Sequence, residues 1–433
     1  MSVAATSTAS VFGHRAFAYY WIGRIVSILS FQMLMVAIGW QLYSITGSAL
    51  DLGLIGLAQF VPMLVLTLVV GHVADRYDYR AILLVCQSGE AIAAGFLAVG
   101  SLMGWLDPWA IYAVTALVGA ARAFEIPTMV AIIPALVPRP LVPVATAWFT
   151  SANQAGQIVG PVLGGGLYGL GPAAVYGTAI ALWAVGACFI AMIRMERAPR
   201  SAEPLTLRSA MGGFRFVMRD RVILGTIALD MCAVFLAGLG TLFPIFARDI
   251  LKTGPWGLGL LRAAPAAGAL IMSVVLARRP LTLPIGQVLF GVIAVFGLFT
   301  VLFGLSTNLV LSLMALAVLG AADAVSVVIR FSLVQLRTPP EMRGRVSAVN
   351  GMFTGTSNYL GDFRAGAVAA LVGAPLAAVA GGAGVFAVLA LWLFLFPQLR
   401  RIRSLDEVPQ VPQVNVPAGA VPDKPKTGPE ARQ

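Results

Sequence analysis

Charge is what this sequence has least of: 11% of its 433 residues are charged, where a soluble domain carries roughly 25%. So little charge cannot cover a water-soluble fold, and lipid is the implied solvent. Histidine occurs only as His14 and His72, which excludes a His-rich metal cluster. The three cysteines, Cys86, Cys188 and Cys232, each fall inside an apolar run. They lack metal-ligand spacing, cannot build a disulfide framework, and read as small core hydrophobes. A nucleophile elbow is missing, and so is a phosphate-binding glycine–lysine loop. A membrane enzyme and an ATP-driven pump are both disfavoured, and no cofactor or metal is expected. No cleavable signal is evident, because the first apolar run is long and interrupted by Arg.

What is present is apolar: 59% of the residues are hydrophobic. A spanning helix needs about 20 mainly apolar residues. Such runs centre near Ala37, Leu64, Phe96, Ala121, Gly156, Val185, Ala233, Ala267, Ala294, Leu319, Ser357 and Val388. The pattern predicts an all-α integral membrane protein, with twelve transmembrane helices in two pseudo-symmetric six-helix bundles. The net charge of +11 does not point to nucleic acid, since the positive residues sit where helix ends leave the membrane. The expected partners are the bilayer, protons and a small-molecule substrate, and the expected state is a monomer.

The Arg distribution sets the orientation. Arg76, Arg80, Arg139, 197–221, Arg278, Arg279, 337–345, Arg400, Arg401 and Arg403 all fall in even-numbered turns or after the last run. The opposite turns hold Asp107, Gly171-Pro172, Asn308 and Gly373-Ala374-Pro375, without Lys or Arg; only Arg248 and Lys252 break the pattern, beside Asp249. The asymmetry predicts an inner-membrane, multi-pass protein with both termini in the cytoplasm. The predicted organisation is a cytoplasmic N-terminal tail over 1–14, a bundle over 15–194, a cytoplasmic linker over 195–220, a second bundle over 221–399, and a disordered cytoplasmic tail over 400–433. The linker's second part, 205–218, reads either as an amphipathic helix on the anionic leaflet or as a solvated connection. The tail is rich in Pro, Val, Gln and Lys without an apolar period.

The two bundles echo each other. Gly119-Ala120-Ala121-Arg122-Ala123 returns as Gly320-Ala321-Ala322-Asp323-Ala324, a shift of 201 positions (323 − 122). At the same shift, Pro138 through Gly160, Pro161 and Gly165 align with Pro339 through Gly361, Asp362 and Gly366. A constant shift carried across a loop implies two halves about a pseudo-twofold axis along the membrane normal, as in many transporters.

These residues together resemble the major facilitator superfamily. Gly71, Ala74, Asp75, Arg76 and Arg80 match its first-loop signature Gly-x-Leu-Ala-Asp-Arg-x-Gly-Arg-Lys, with departures at Val73 and at Asp78, where the family usually has Gly. Gly156, Gly160, Pro161, Gly164 and Gly165 fill every fixed position of its antiporter motif, which the resemblance associates with exporters. Arg122 stands where proton-coupled members carry a fourth-span Arg. A narrower resemblance, to the enterobactin-exporter and macrolide-efflux branch, rests on Ile45-Thr46-Gly47-Ser48, Arg122-Ala123-Phe124 with Pro127, Pro134 to Val137, and Thr338 to Val346. It implies export of bulky amphipathic molecules, siderophore- or drug-like.

Read physically, Gly71, Asp75, Arg76 and Arg80 form a candidate conformational latch. Asp75 at a helix end can cap a neighbouring helix or pair with Arg from the other half while the cytoplasmic side is closed. Gly156, Gly160 and Gly164 share one helix face and allow close approach; Pro161 permits a bend. They predict a close-packed helix at the seam between halves. A charge at mid-bilayer costs about 2.5–3.5 kcal/mol on insertion scales, so each is functional by default. The proton-coupling candidates are Asp230, Glu90, Arg122, Glu125, Asp323 and Asp362. Asp230 and Glu90 read as lone carboxyls nearest the membrane centre; the alternative for each is a permanent salt bridge. Arg122 and Asp323 hold equivalent positions, so a direct pair is conceivable, although Arg122–Glu125 is nearer on one helix face. Arg24, Gln32, Gln59, Asn153, Gln154, Asn358 and Tyr359 are candidate cavity residues, with interhelical packing as the alternative. The leading function is a proton-coupled exporter; a lysolipid flippase or an importer of the same fold is the alternative.

Overall fold

A computed structural model describes residues 11–194, 207–279, 283–339, 342–400 and 402, apart from the side chains of Leu68, Gly71, His72, Ala74, Asp75 and 207–211. The helices of the first half are α1 Arg15–Thr46, α2 Ala49–Arg76, α3 Tyr79–Met103, α4 Pro108–Ala131, α5 Val142–Leu167 and α6 Pro172–Met192. A connecting helix, α7 Leu207–Arg219, leads to α8 Arg221–Ala237, α9 Gly254–Arg278, α10 Ile285–Leu305, α11 Leu309–Arg337, α12 Arg343–Val372 and α13 Ala374–Leu395. Every predicted run centre lies inside one of the twelve spans. Among the described residues, nine helices are long and apolar enough to cross a membrane on composition alone. The other three spans are α5, α8 and α12. α8 has 17 residues, while α5 carries Thr, Ser, Asn, Gln and Gly, and α12 carries Asn, Ser, Thr, Asp and Arg.

Local chemistry fixes the helix ends. Ser48, Asp78, Asp107, Asp220 and Asn308 cap α2, α3, α4, α8 and α11 by accepting first-turn backbone N–H groups, which satisfies donors with no partner inside the helix. Asp78, the departure from the family's usual Gly, thus starts α3 through the Arg80 N–H at 2.9 Å. The α8 helix stops at Gly238, whose φ of 40° is left-handed. A Cβ there would meet the Gly361 carbonyl, so the break in the seventh span needs glycine for conformation and for space. Arg364 donates to the carbonyls of Phe235 (3.1 Å) and Leu236 at that end, a cation on exposed helix carbonyls.

The pseudo-twofold axis is visible in the packing. Gly119 of α4 lies against the Gln59 backbone of α2, and Gly320 of α11 lies against the Pro265 backbone of α9. Gly165 of α5 meets Gly259 of α9, and Gly366 of α12 meets Gly53 of α2. The second-span partners keep one shift of 206 positions throughout (259 − 53 and 265 − 59). Twelve spans in alternating direction place the two ends of the described chain, Val11 and Ile402, on one face. The contacts between halves gather at the opposite face. There Tyr43 at the end of α1 donates to Asp249, and Arg248 donates to the Tyr43 carbonyl at 3.0 Å. Along α2 and α12 the contact runs from Gly53 and Gly366 down to the rings of Phe60 and Tyr359, 5.7 Å apart.

Several expectations need correction. The second part of the linker forms the helix α7, which packs on α12. Gly213 packs on the Arg345 backbone, Phe214 contacts Phe353, and Val217 is buried beside Ile223 and Val346. The remainder of the linker, 195–206, lies outside the described residues, as do 1–10 and 403–433 of the tails. Val11, assigned to a tail, is buried, and Phe12 packs edge-on against Trp21 and Trp148. Cys188 is exposed, so it is no core residue.

Candidate functional site

Two cavities lie between the halves on the chain-end side of the closed face. The larger, about 490 Å³, is lined by Gln154 and Gln157 of α5 and by residues of α8, α9, α10, α11 and α12, Asp323, Asn358 and Asp362 among them. The smaller, about 200 Å³, lies between α1, α2 and the second half, with Gln32, Gln59, Arg262, Tyr359 and Asp362 in its wall. Asp362 belongs to both. Its carboxylate lies against the Gly240 and Thr241 backbone; a Cβ at Gly240 would meet its Oδ2 at 2.7 Å. Arg262 is the cation facing it. Gln154 donates across the seam to the Ala266 carbonyl at 2.7 Å.

Five of the predicted cavity residues, Gln32, Gln59, Gln154, Asn358 and Tyr359, therefore line these spaces. Arg24 and Asn153 do not. Arg24 donates to Asn153 Oδ1, with its Nε at 2.9 Å, and lies over the Phe149 ring at 5.1 Å. The pair ties α1 to α5 inside the first half, away from the cavity.

The charged residues of the first half form one buried cluster. Arg122 pairs with Glu125 three residues on, at 2.7 Å, and lies over the Phe31 ring at 4.1 Å. Ser27 of α1 donates to the other Glu125 oxygen at 2.5 Å. Glu90 of α3 is fully buried beside them. Neither of its oxygens has a hydrogen-bond partner among the described residues, and the Trp183 indole lies alongside without closing a bond. The conceivable Arg122–Asp323 pair does not form here, because Glu125 holds Arg122 at ion-pair distance within its own helix.

In the second half, Asp230 is not the lone carboxyl that the sequence suggested. Arg330 of α11 forms a buried ion pair with it, and Ser326 donates to it at 3.1 Å. The partner stands 100 residues away in the chain, and only the packing of α8 on α11 brings it in. Removing one member of a buried pair leaves an uncompensated charge, so Asp230 has a structural duty whatever else it does.

The latch residues fall in three places. The side chains of Gly71 and Asp75 lie outside those described. Arg76 is exposed. Arg80 donates to the Ala191 carbonyl at 2.7 Å, capping α6 within its own half instead of reaching across. The antiporter motif is also divided. A Cβ at Gly156, Gly160 or Gly164 would strike Ile28, Gln32 or Met33 of α1, so that face packs inside the first half. The seam between halves is made by Pro161 and Gly165, both against Gly259. The Tyr43–Arg248–Asp249 clasp went unrecognised; its one sequence signal was the breach of the charge rule at Arg248.

The comparisons with known proteins agree with this architecture. The model of the transmembrane secretion effector family matches residues 6–429. The enterobactin exporter EntS of Escherichia coli O1:K1 is 28% identical over 409 residues, covering 92% of this chain and 95% of that protein. EntS of Shigella boydii serotype 18 is 28% identical over 412 residues, with the same coverage of 92% and 95%. Among solved structures, an inward-facing, unoccupied bacterial homolog of the human lysosomal transporter Spinster superposes with a TM-score of 0.70. It has 13% identity, over 90% of this chain and 98% of that one. A bacterial homologue of the iron transporter ferroportin, inward-facing, gives 0.67 at 16% identity, over 88% and 98%. The fold is that of the major facilitators, and the protein is a membrane transporter, not an enzyme. This chain belongs to the transmembrane secretion effector family.

Proposed function

We propose that this chain exports a small amphipathic molecule across the inner membrane by alternating access, in exchange for protons, with both termini in the cytoplasm. The carrying observation is the distribution of contacts between halves. The closure is built from the Tyr43 clasp and from glycine backbones at Gly165–Gly259 and Gly53–Gly366, while the cavities lie toward the chain ends. Glycine contacts of this kind are held by short-range packing, so they can part without unfolding either half. The Arg asymmetry supports chain ends on the inside, and on that reading this is the conformation that loads from the cytoplasm. The unpartnered Glu90 is the group best placed to carry the exchanged proton, since a buried carboxyl without a hydrogen bond must be matched by a proton or by a moved cation. The exporter relatives support the direction.

The test is substrate-induced proton release from the purified protein, measured against siderophores, macrolides and lysolipids. Release by a siderophore or a macrolide is expected. A response to lysolipid alone would favour the flippase reading, and transport insensitive to a pH gradient would remove the proton.

A further inference from the structure

In the second half, Asp323 is a charge that the transport reading leaves unused. It stands in α11 at the position equivalent to Arg122 in α4. There the ion-pair partner of Arg122 is Glu125; the equivalent of Glu125 is Ser326 (326 − 125 is again 201). Ser326 turns instead to Asp230, which Arg330 already holds. The charges that bear on Asp323 are thus the Asp230–Arg330 pair, neutral as a unit. Asp362, the other carboxylate of the cavity, faces Arg262 and lies against the Gly240 and Thr241 backbone. Asp323 makes no ion pair or hydrogen bond among the described residues, and it opens into the cavity of about 490 Å³. Phe243, Phe296, Leu316 and Leu319 share the lining with it, together with Gln154 and Asn358. A single uncompensated carboxylate in an apolar chamber of drug-like size is a site for one positive charge on an apolar body, and the two phenylalanines suit a cation further.

We propose that the larger cavity binds an amphipathic monocation, with Asp323 as its counter-ion. This sets the charge of the substrate, which the family does not. It rests on the transport reading above for its purpose, but equilibrium binding tests it without transport. The experiment uses the full chain in detergent and two ions of matched shape and opposite charge, tetraphenylphosphonium and tetraphenylborate. Saturable binding of the phosphonium is expected, with the borate about tenfold weaker or more. Asp323→Asn should weaken the phosphonium by about tenfold or more, and Asp323→Glu should restore most of it, as expected for a desolvated ion pair. Comparable binding of both ions would overturn the proposal. So would phosphonium binding that survives Asp323→Asn, or that is lost only in Asp362→Asn. If Asp323→Asn does not fold, Asp323→Glu and the contrast between the two ions decide. Loss of proton-driven export with this binding intact would sink the transport mechanism and leave the site standing.

Discussion

Glu90→Gln is expected to abolish uphill export while downhill exchange of substrate continues. The glutamine keeps the volume and the apolar contacts of a fully buried side chain, so the fold should survive. What it loses is the capacity to take up and release a proton. Both Glu90 oxygens lack partners, so no ion pair is broken by the change, unlike Glu125→Gln, which would leave Arg122 without its carboxylate. The measurement is proteoliposome transport with and without a pH gradient, and coupling should fall by about 10²-fold or more, to the level of passive exchange. Gradient-driven transport like that of the wild type would take Glu90 out of the mechanism and move the search to Asp323 and Asp362. Asp230→Asn is a poor substitute for this experiment. It strands Arg330 in the interior at a cost of about 3–5 kcal/mol, so lost transport there would report on folding as much as on coupling. Arg122→Ala should act differently again, altering the pH dependence of transport, because a guanidinium has no exchangeable proton near neutral pH.

Gly165→Val should prevent the closed face from closing, and Gly366→Val should do the same from the other side of the pseudo-twofold axis. A Cβ at Gly165 would lie 2.5 Å from the Pro255 carbonyl oxygen and 3.0 Å from Gly259 Cα. At Gly366 it would lie 2.7 Å from the Ala49 carbonyl oxygen and 2.8 Å from Gly53 Cα. All four obstacles are backbone and cannot rotate away. Each half can stay folded, because neither glycine face holds its own bundle together, so the cost falls on the contact between halves. The conformational equilibrium should shift toward the state open on that face, and transport should drop about tenfold or more. Met35, in the wall of the smaller cavity and nearly inaccessible here, supplies the reporter. Met35→Cys, with Cys86, Cys188 and Cys232 replaced, should react faster with an impermeant maleimide added from the far side once either valine is present. Unchanged labelling would mean that these glycines do not set the closure. Gly156→Val is the contrasting case: it strikes Ile28 of α1 within one half and should reduce folded protein instead of redistributing its conformations.

The position of each change in the packing also marks what the sequence could and could not say. Twelve spans, two related halves and the family were legible because they rest on properties that read along the chain. Apolar length is set by bilayer thickness, and the repeat is a constant offset that survives in Arg122 and Asp323. A plain criterion of length and hydropathy falls short of that reading: α8 misses it with 17 residues, and α5 and α12 miss it as well. The cavity residues were half legible. Polarity in a span marks an inward face, but it cannot separate a cavity wall such as Gln154 from a bolt such as Arg24–Asn153, since the partner lies 129 positions away.

Which carboxylate stands alone was decided by tertiary structure. Asp230 and Asp323 look alike as single acidic residues in apolar runs. Arg330 rises beside Asp230 because α8 packs against α11, while Asp323 on the same α11 lines the larger cavity. The glycine motif shows the same division. Its spacing determined that one helix face would be bare; whether α1 or α9 would fill it depended on how the two halves meet. The sequence by itself determined solvent, span number, symmetry and family, because those follow from composition and period. Pairing, cavity shape and the closed face came only with the fold, because each depends on distances between helices that the chain joins by long detours.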